Sequence, residues 1–147
     1  MESRIADITH VIQLSVAPAF LLVAIGNLLM ILSARLGRIV DRRRVLEDRL
    51  GGLSGDAAAG IETELAHLNR RAALIYFATL SAVLGALAVC LVVAGAFLGA
   101  LLEVEMKLAE GVAGLFVLAM ISMLVSWSLL LREVYLTIRV GAARLHR

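Results

Sequence analysis

The chain has 147 residues, 61% of them hydrophobic and only 18% charged, with a mean hydropathy of +0.95. Soluble domains run at about 45–50% apolar and about 25% charged residues, so the apolar excess must face something other than water. A formal charge of +2 does not point to nucleic acid, because aromatic residues make up 5% and the arginines border apolar runs; one cysteine, Cys90, leaves no disulfide framework, CxxC centre or zinc-ligand set.

A spanning helix needs roughly 20 mostly apolar residues. Residues 11–34 supply the first, VIQLSVAPAFLLVAIGNLLMILSA, without a charge. It does not read as a cleaved signal peptide, being too long, lacking a basic front end and carrying Pro18 and Asn27 inside the apolar run. Pro18 is expected to kink it near its outer third. Steps of three and four residues from His10 pass through Gln13, Ala17, Phe20, Ala24, Asn27, Ile31, Ala34, Arg38 and Asp41. Polar groups at membrane depth face protein or a water-filled cavity. In a ring of identical chains this stripe lines a pore, with Phe20 and Ile31 as constrictions, Asn27 a polar ring and Arg38 a charged inner mouth. The plainer alternative is that Gln13 and Asn27 hydrogen-bond a neighbouring helix, with the alanines allowing close approach.

Residues 35–50 keep a helical rhythm, with Leu36, Ile39, Val40, Leu46 and Leu50 on one face and arginines elsewhere. No breaker separates them from the first span. Gly51 to Asp56 then makes a turn with Asp56 as the expected N-cap, and residues 57–71 resume the rhythm through Ile61, Leu65 and Leu68. Two matched arms of about 15 residues make an antiparallel helical hairpin over residues 35–71, roughly 22 Å long at ~1.5 Å per residue. Asp41–Arg44 and Arg42 or Arg43 with Glu47 are candidate pairs along the exposed face, each worth only about 0.2–0.5 kcal/mol. The plain reading of this charge run is a solvated face. Glu64 and His67 have the E-x-x-H spacing of di-iron bundles, but no second such motif accompanies them, so no metal or other cofactor is expected.

The second span, residues 72–102, is rich in small residues: Ala78, Ala82 and Ala86 form one ladder, Ser81 and Gly85 another, and Gly95 with Gly99 a GxxxG. The third, residues 111–131, adds Gly111, Gly114, Ser122 and Ser126. Membrane helices associate through such residues, which predicts close packing within the chain and then between copies. A tail, residues 132–147, follows. Its first pair, Arg132 and Glu133, is expected to snorkel and to pair with Arg38, Asp41 or Arg42, within a network of Arg35, Arg38, Asp41, Arg42, Arg132 and Glu133.

Orientation follows from the distribution of basic residues. Segments 35–71 and 132–147 hold twelve of the 14, leaving Arg4 and Lys107 on the other side. The N-terminus is therefore predicted outside and the hairpin and C-terminus in the cytoplasm, with Tyr76, Trp127 and Tyr135 near the inner boundary. No nucleophile, triad, phosphate loop or intramembrane acid–base relay is present in the pattern, so the chain does not read as an enzyme or a proton-coupled carrier.

HVIQLSVAPAFLL (10–22), ARLGRIVDRRRVLE (34–47) and LLLREVYLTI (129–138) resemble a family of small three-span bacterial proteins, domain of unknown function family 2721. The resemblance covers nearly the whole chain, and R-x-x-R-I-V-D-R at 35–42 is its most specific piece. It implies a bacterial inner-membrane protein of this topology and makes Pro18, Arg35, Arg38, Asp41, Arg42, Arg132 and Glu133 the positions to test. It brings no activity with it. The sequence as a whole predicts an all-α integral membrane protein, one membrane domain over residues 1–147, with three transmembrane helices, the first two extended into the cytoplasmic hairpin. The expected function is a homo-oligomeric ion channel or pore lined by the first helix. The alternative is a non-catalytic scaffold whose Arg-rich stalk binds anionic lipid headgroups or a protein partner.

Overall fold

A computed structural model describes the backbone of residues 2–52, 54–102 and 105–145 and the side chains of residues 16–52, 54–99 and 110–138. Its elements are three helices: α1 (Glu2–Leu50), α2 (Asp56–Leu102) and α3 (Glu105–Leu145). All three are long and apolar enough to cross a membrane, over Val16–Leu50, Asp56–Gly99 and Glu110–Ile138. Only 22%, 28% and 22% of their most apolar windows are covered within the chain. Phe20, Met30, Tyr76, Leu124 and Leu131 are among the side chains left open. A water-facing bundle would not tolerate so much contiguous apolar surface, so these faces belong against lipid or another protein.

α1 passes from the first apolar run into the first arm of the hairpin, through Pro18, as one element. It ends in a turn in which the Gly51 amide donates to the Glu47 carbonyl and Gly52 to Arg49. The cap of α2 differs from expectation by one residue. The Gly55 carbonyl accepts the amides of Ala58 and Ala59, and Gly55 takes φ +74°, which favours glycine. Asp56 is thus the first helical residue, where its charge complements the positive end of the helix. Residues 132–145 are also more than a tail: they continue α3, and Glu133 at their start is buried.

The buried positions recur every seven residues. On α1 they are Pro18, Ile25, Leu32, Ile39 and Leu46, with Leu28 between; on α2 they are Leu68, Ile75, Ala82 and Val89 together with Ala78, Gly85 and Val92, Ala88 being buried outside the repeat. On α3 they are Ala119, Ser126 and Glu133 with Met123 and Leu130. A heptad period keeps one seam turned towards the same neighbours along a long helix.

The chain divides into two compact units. The first comprises residues 1–29 and 81–125. Here α2 meets α3 through small residues: the Ser81 hydroxyl donates to the Ser122 carbonyl at 2.8 Å, and a Cβ on Gly85 would lie 3.4 Å from Ser122 Cβ. At Gly95 the approach is closer still, since a Cβ there would sit 2.9 Å from Val112 Cγ2. The second unit comprises residues 30–80 and 126–147. Its core holds Leu32, Ile39, Leu46, Leu68, Ile75, Ala78 and Leu130, and the buried Ser126 hydroxyl donates to the Ala78 carbonyl at 2.8 Å.

Candidate functional site

Within the second unit the seam changes character. Arg35 stands seven residues beyond Leu28 on α1, and Arg71 seven residues before Ala78 on α2. Glu133 stands seven beyond Ser126 on α3. Each continues an apolar or small seam by one heptad, and the three meet. Glu133 is 1% exposed. Its Oε2 accepts Arg35 Nη1 at 2.7 Å, while its Oε1 accepts Arg71 Nη2 at 2.7 Å and Nε at 3.2 Å. The Thr137 hydroxyl, one turn along α3, donates to the same Oε1 at 3.1 Å and to the Glu133 carbonyl at 3.0 Å. Both carboxylate oxygens are therefore satisfied, as a buried charge requires.

One heptad after Arg35, Arg42 reaches across from α1 to α2 and donates Nη2 and Nε to Glu64 Oε1, at 2.9 and 3.2 Å. Glu64 is thus engaged by an arginine. Between these two bridges lies a cleft of about 330 Å³, lined by Arg35, Arg38, Arg42 and Arg71, by Glu133 and Thr137, and by the apolar Ile39 and Leu68. Arg38 is exposed and enters no ion pair among the described residues. Four guanidiniums face one carboxylate in the lining, or two when Glu64 behind Arg42 is counted. The cleft therefore keeps about two uncompensated positive charges, arranged as planar donors able to grip an anion from more than one side.

The layer formed by Arg35, Arg71 and Glu133 is also where the helices change from apolar to charged. Arg35 is the first charge after the apolar run of α1, Arg71 the last before that of α2, and Arg132 with Glu133 the first after that of α3. Tyr76 and Trp127 are exposed about 7.5 and 9 Å from this layer on the apolar side, and Tyr135 about 3 Å on the other, at ~1.5 Å per residue. Aromatic rings with one polar edge collect at such boundaries.

Of the expected network, Arg35 and Glu133 are brought together, and Arg42 pairs with Glu64 rather than Glu47. Arg43 pairs with Glu47 at 2.7 Å as the i,i+4 spacing suggested. Asp41 and Arg132 are exposed and take part in none of the ion pairs among the described residues. Glu133 chooses Arg35 and Arg71 instead of Arg38, Asp41 or Arg42. Arg71, Glu64 and Thr137 are the members that the sequence reading missed. A signal for Arg71 existed in its seven-residue register with Ala78, Gly85 and Val92.

Apart from Arg38, which lines the cleft, the stripe of α1 lies elsewhere. Ala17, Phe20, Ala24, Asn27, Ile31, Ala34 and Arg38 are all exposed, on a different face from Pro18, Ile25, Leu28 and Leu32; Gln13 lies outside the described side chains. The small residues Ala78, Ala82, Gly85 and Ser126 are buried within the chain, the first of the two packing roles expected of them.

No curated protein and no solved structure matches the chain. A family model described as a protein of unknown function (DUF2721) does, over residues 15–141, which takes in α2, most of α1 and α3, the turn between α1 and α2 and every residue of the arginine cleft. The chain belongs to that family.

Proposed function

We propose that the protein is a non-catalytic membrane scaffold whose basic end lies in the cytoplasm and gathers anionic groups, lipid headgroups first, around the arginines of α1 and α2. The convergence of Arg35, Arg38, Arg42 and Arg71 on one cleft carries this reading. A basic residue near an anionic surface is worth about 1 kcal/mol, so several together hold anionic lipid against exchange with neutral lipid. The bias of arginines towards this end supports the cytoplasmic orientation by the positive-inside rule, with the N-terminus outside; a bacterial inner membrane as the host is the part of the proposal that rests on the family resemblance alone. The reading is tested by purifying the protein in native-lipid nanodiscs and comparing the retained lipid with the bulk membrane. Enrichment of phosphatidylglycerol and cardiolipin over phosphatidylethanolamine is expected, whereas retained lipid of bulk composition removes the reading.

A second reading keeps the pore. The exposed face of α1 carries an amide, Asn27, at the depth of the apolar run, and a cyclic homo-oligomer with this face inward would give it water or an equivalent amide as partner. It ranks second because it needs further copies of the chain to exist at all, while the cleft is complete in one. Ion flux through protein-loaded liposomes tests it. Selective flux altered by Asn27→Leu is the expected result, and absence of flux across voltage and membrane tension defeats it.

A further inference from the structure

We infer that the arginine cleft is a discrete, single-occupancy site for a phosphate group, held between Arg35, Arg38 and Arg42 of α1 and Arg71 of α2. This deepens the scaffold reading and rests on it for the source of the phosphate, a lipid headgroup. Three features of the cleft distinguish such a site from a diffuse basic surface. The first is donor geometry. Arg35 spends one N–H on Glu133 and Arg71 spends two, out of five on each guanidinium, so both present donors to the cleft while being held in place. Donors fixed before the ligand arrives lose little freedom on binding.

The second is shape and charge. A carboxylate is flat and has two oxygens, and the cleft already contains one, Glu133, at its edge. A phosphate offers oxygens in tetrahedral directions and takes forked donors from several sides, which suits guanidiniums arriving from two helices. The surplus of about two positive charges matches a phosphate carrying one or two negative charges. A volume of about 330 Å³ has room for a phosphate with the first atoms bonded to it.

The third is depth. The cleft begins at the layer where the three apolar runs end, flanked by exposed Tyr76, Trp127 and Tyr135, which is the level of lipid phosphates in a bilayer. Arg38, exposed and free of ion pairs among the described residues, is the arm that completes the grip; Ile39 and Leu68 supply an apolar wall for the first carbons beyond the phosphate.

The test uses purified full-length protein in neutral detergent, titrated by native mass spectrometry with phosphatidylglycerol and, separately, by calorimetry with inorganic phosphate. One saturable phosphatidylglycerol per chain is expected. Arg38→Ala should weaken it roughly tenfold, the scale of one charge-assisted hydrogen-bonded contact. Arg44→Ala removes the same charge from the same segment outside the cleft, and should leave affinity within about twofold because that charge is screened. Arg38→Lys, which keeps the charge and loses the fork, should fall between wild type and Arg38→Ala. Equal weakening by Arg38→Ala and Arg44→Ala, or binding that never saturates at one per chain, overturns the site while leaving a general anionic-lipid preference standing. Inorganic phosphate bound with the same Arg38 dependence, with no lipid bound, upholds the site and overturns its lipid source.

Discussion

Near Gly85, α2 and α3 are held together by how little lies between them; near Glu133 the same two helices are held by a carboxylate clasped from two sides. At the first place a glycine and a serine allow close approach, and Ser81 adds a hydrogen bond to a main-chain carbonyl. At the second, Arg71 on α2 and Arg35 on α1 converge on Glu133 of α3, and the space between the helices is filled by long charged side chains. Gly85 and Arg71 share one seven-residue register of α2, as Ala119 and Glu133 share one of α3. Lipid chains offer no hydrophobic gain for bringing apolar helices together, so contact there must come from close packing and hydrogen bonds. Where the chain leaves the apolar region, charges can be hydrated at their edges and a buried carboxylate can be afforded. The seam thus changes its chemistry where its solvent changes.

Replacing Glu133 should break the charged half most completely. Glu133→Leu leaves two half-buried guanidiniums facing each other without their shared carboxylate. The expected loss is about 3 kcal/mol, the low end of the 3–5 kcal/mol range for a fully buried pair, because the arginine side chains keep 30% and 28% exposure. Thermal unfolding in detergent would read this as a large fall in Tm. Exchanging all three residues for leucine should recover most of the loss, since an apolar layer of similar volume substitutes well for a buried ion cluster. A Glu133→Leu protein that melts with the wild type would show the layer to be ornamental.

The small-residue half is broken by bulk. Gly85→Leu forces α2 away from Ser122 and the Ala119 carbonyl and should cost about 1–3 kcal/mol. The alanine variants give a finer comparison. At Gly85 a new Cβ meets Ser122 Cβ at ordinary contact distance, so Gly85→Ala should gain up to about 0.5–1 kcal/mol from helix propensity. At Gly95 the new Cβ would stand 2.9 Å from Val112 Cγ2, and Val112 must shift, so Gly95→Ala should melt below Gly85→Ala. The reverse order would contradict the closeness of α2 and α3 at Gly95.

Much of this architecture is legible in the sequence, for reasons visible in particular residues. The spans show because uncharged apolar runs of this length match the thickness of a bilayer and exceed what a small water-facing core can bury. The hairpin shows because Gly51, Gly52 and Gly55 interrupt two helical rhythms. The partners of Glu133 are not legible. Arg35 and Arg38 are one turn apart on α1, neighbours on its surface that line the same cleft. Choosing between them requires the register of α3 against α1, which is set by packing across residues far apart in the chain. The third arm beyond the apolar runs is hidden for a related reason. Glu133 and Thr137 occupy seam positions where a helical rhythm requires apolar residues, so residues 132–147 read as a polar tail although α3 runs on to Leu145. The charges that specify this layer are the same charges that mask its period.

Smaller effects separate contacts that hold helices together from contacts that decorate them. Ser126→Ala removes the bond to the Ala78 carbonyl and should cost about 0.6 kcal/mol, the usual size for a hydrogen bond between membrane helices. That loss should be unaffected by salt, because neither partner is charged and the serine is buried. Arg43→Ala removes an exposed i,i+4 pair within α1 and should cost about 0.2–0.5 kcal/mol at low salt. In 1 M salt the Debye length falls to about 3 Å, so this cost should disappear. Arg42→Ala lies between them. Its pair with Glu64 is partly exposed and weakened by salt, yet it joins α1 to α2, so some of its cost should persist in 1 M salt through lost packing of the arginine stem. If Arg42→Ala and Arg43→Ala instead lose their costs together in salt, the Arg42–Glu64 contact only decorates the hairpin, and the ordered charged layer of the bundle ends at Glu133.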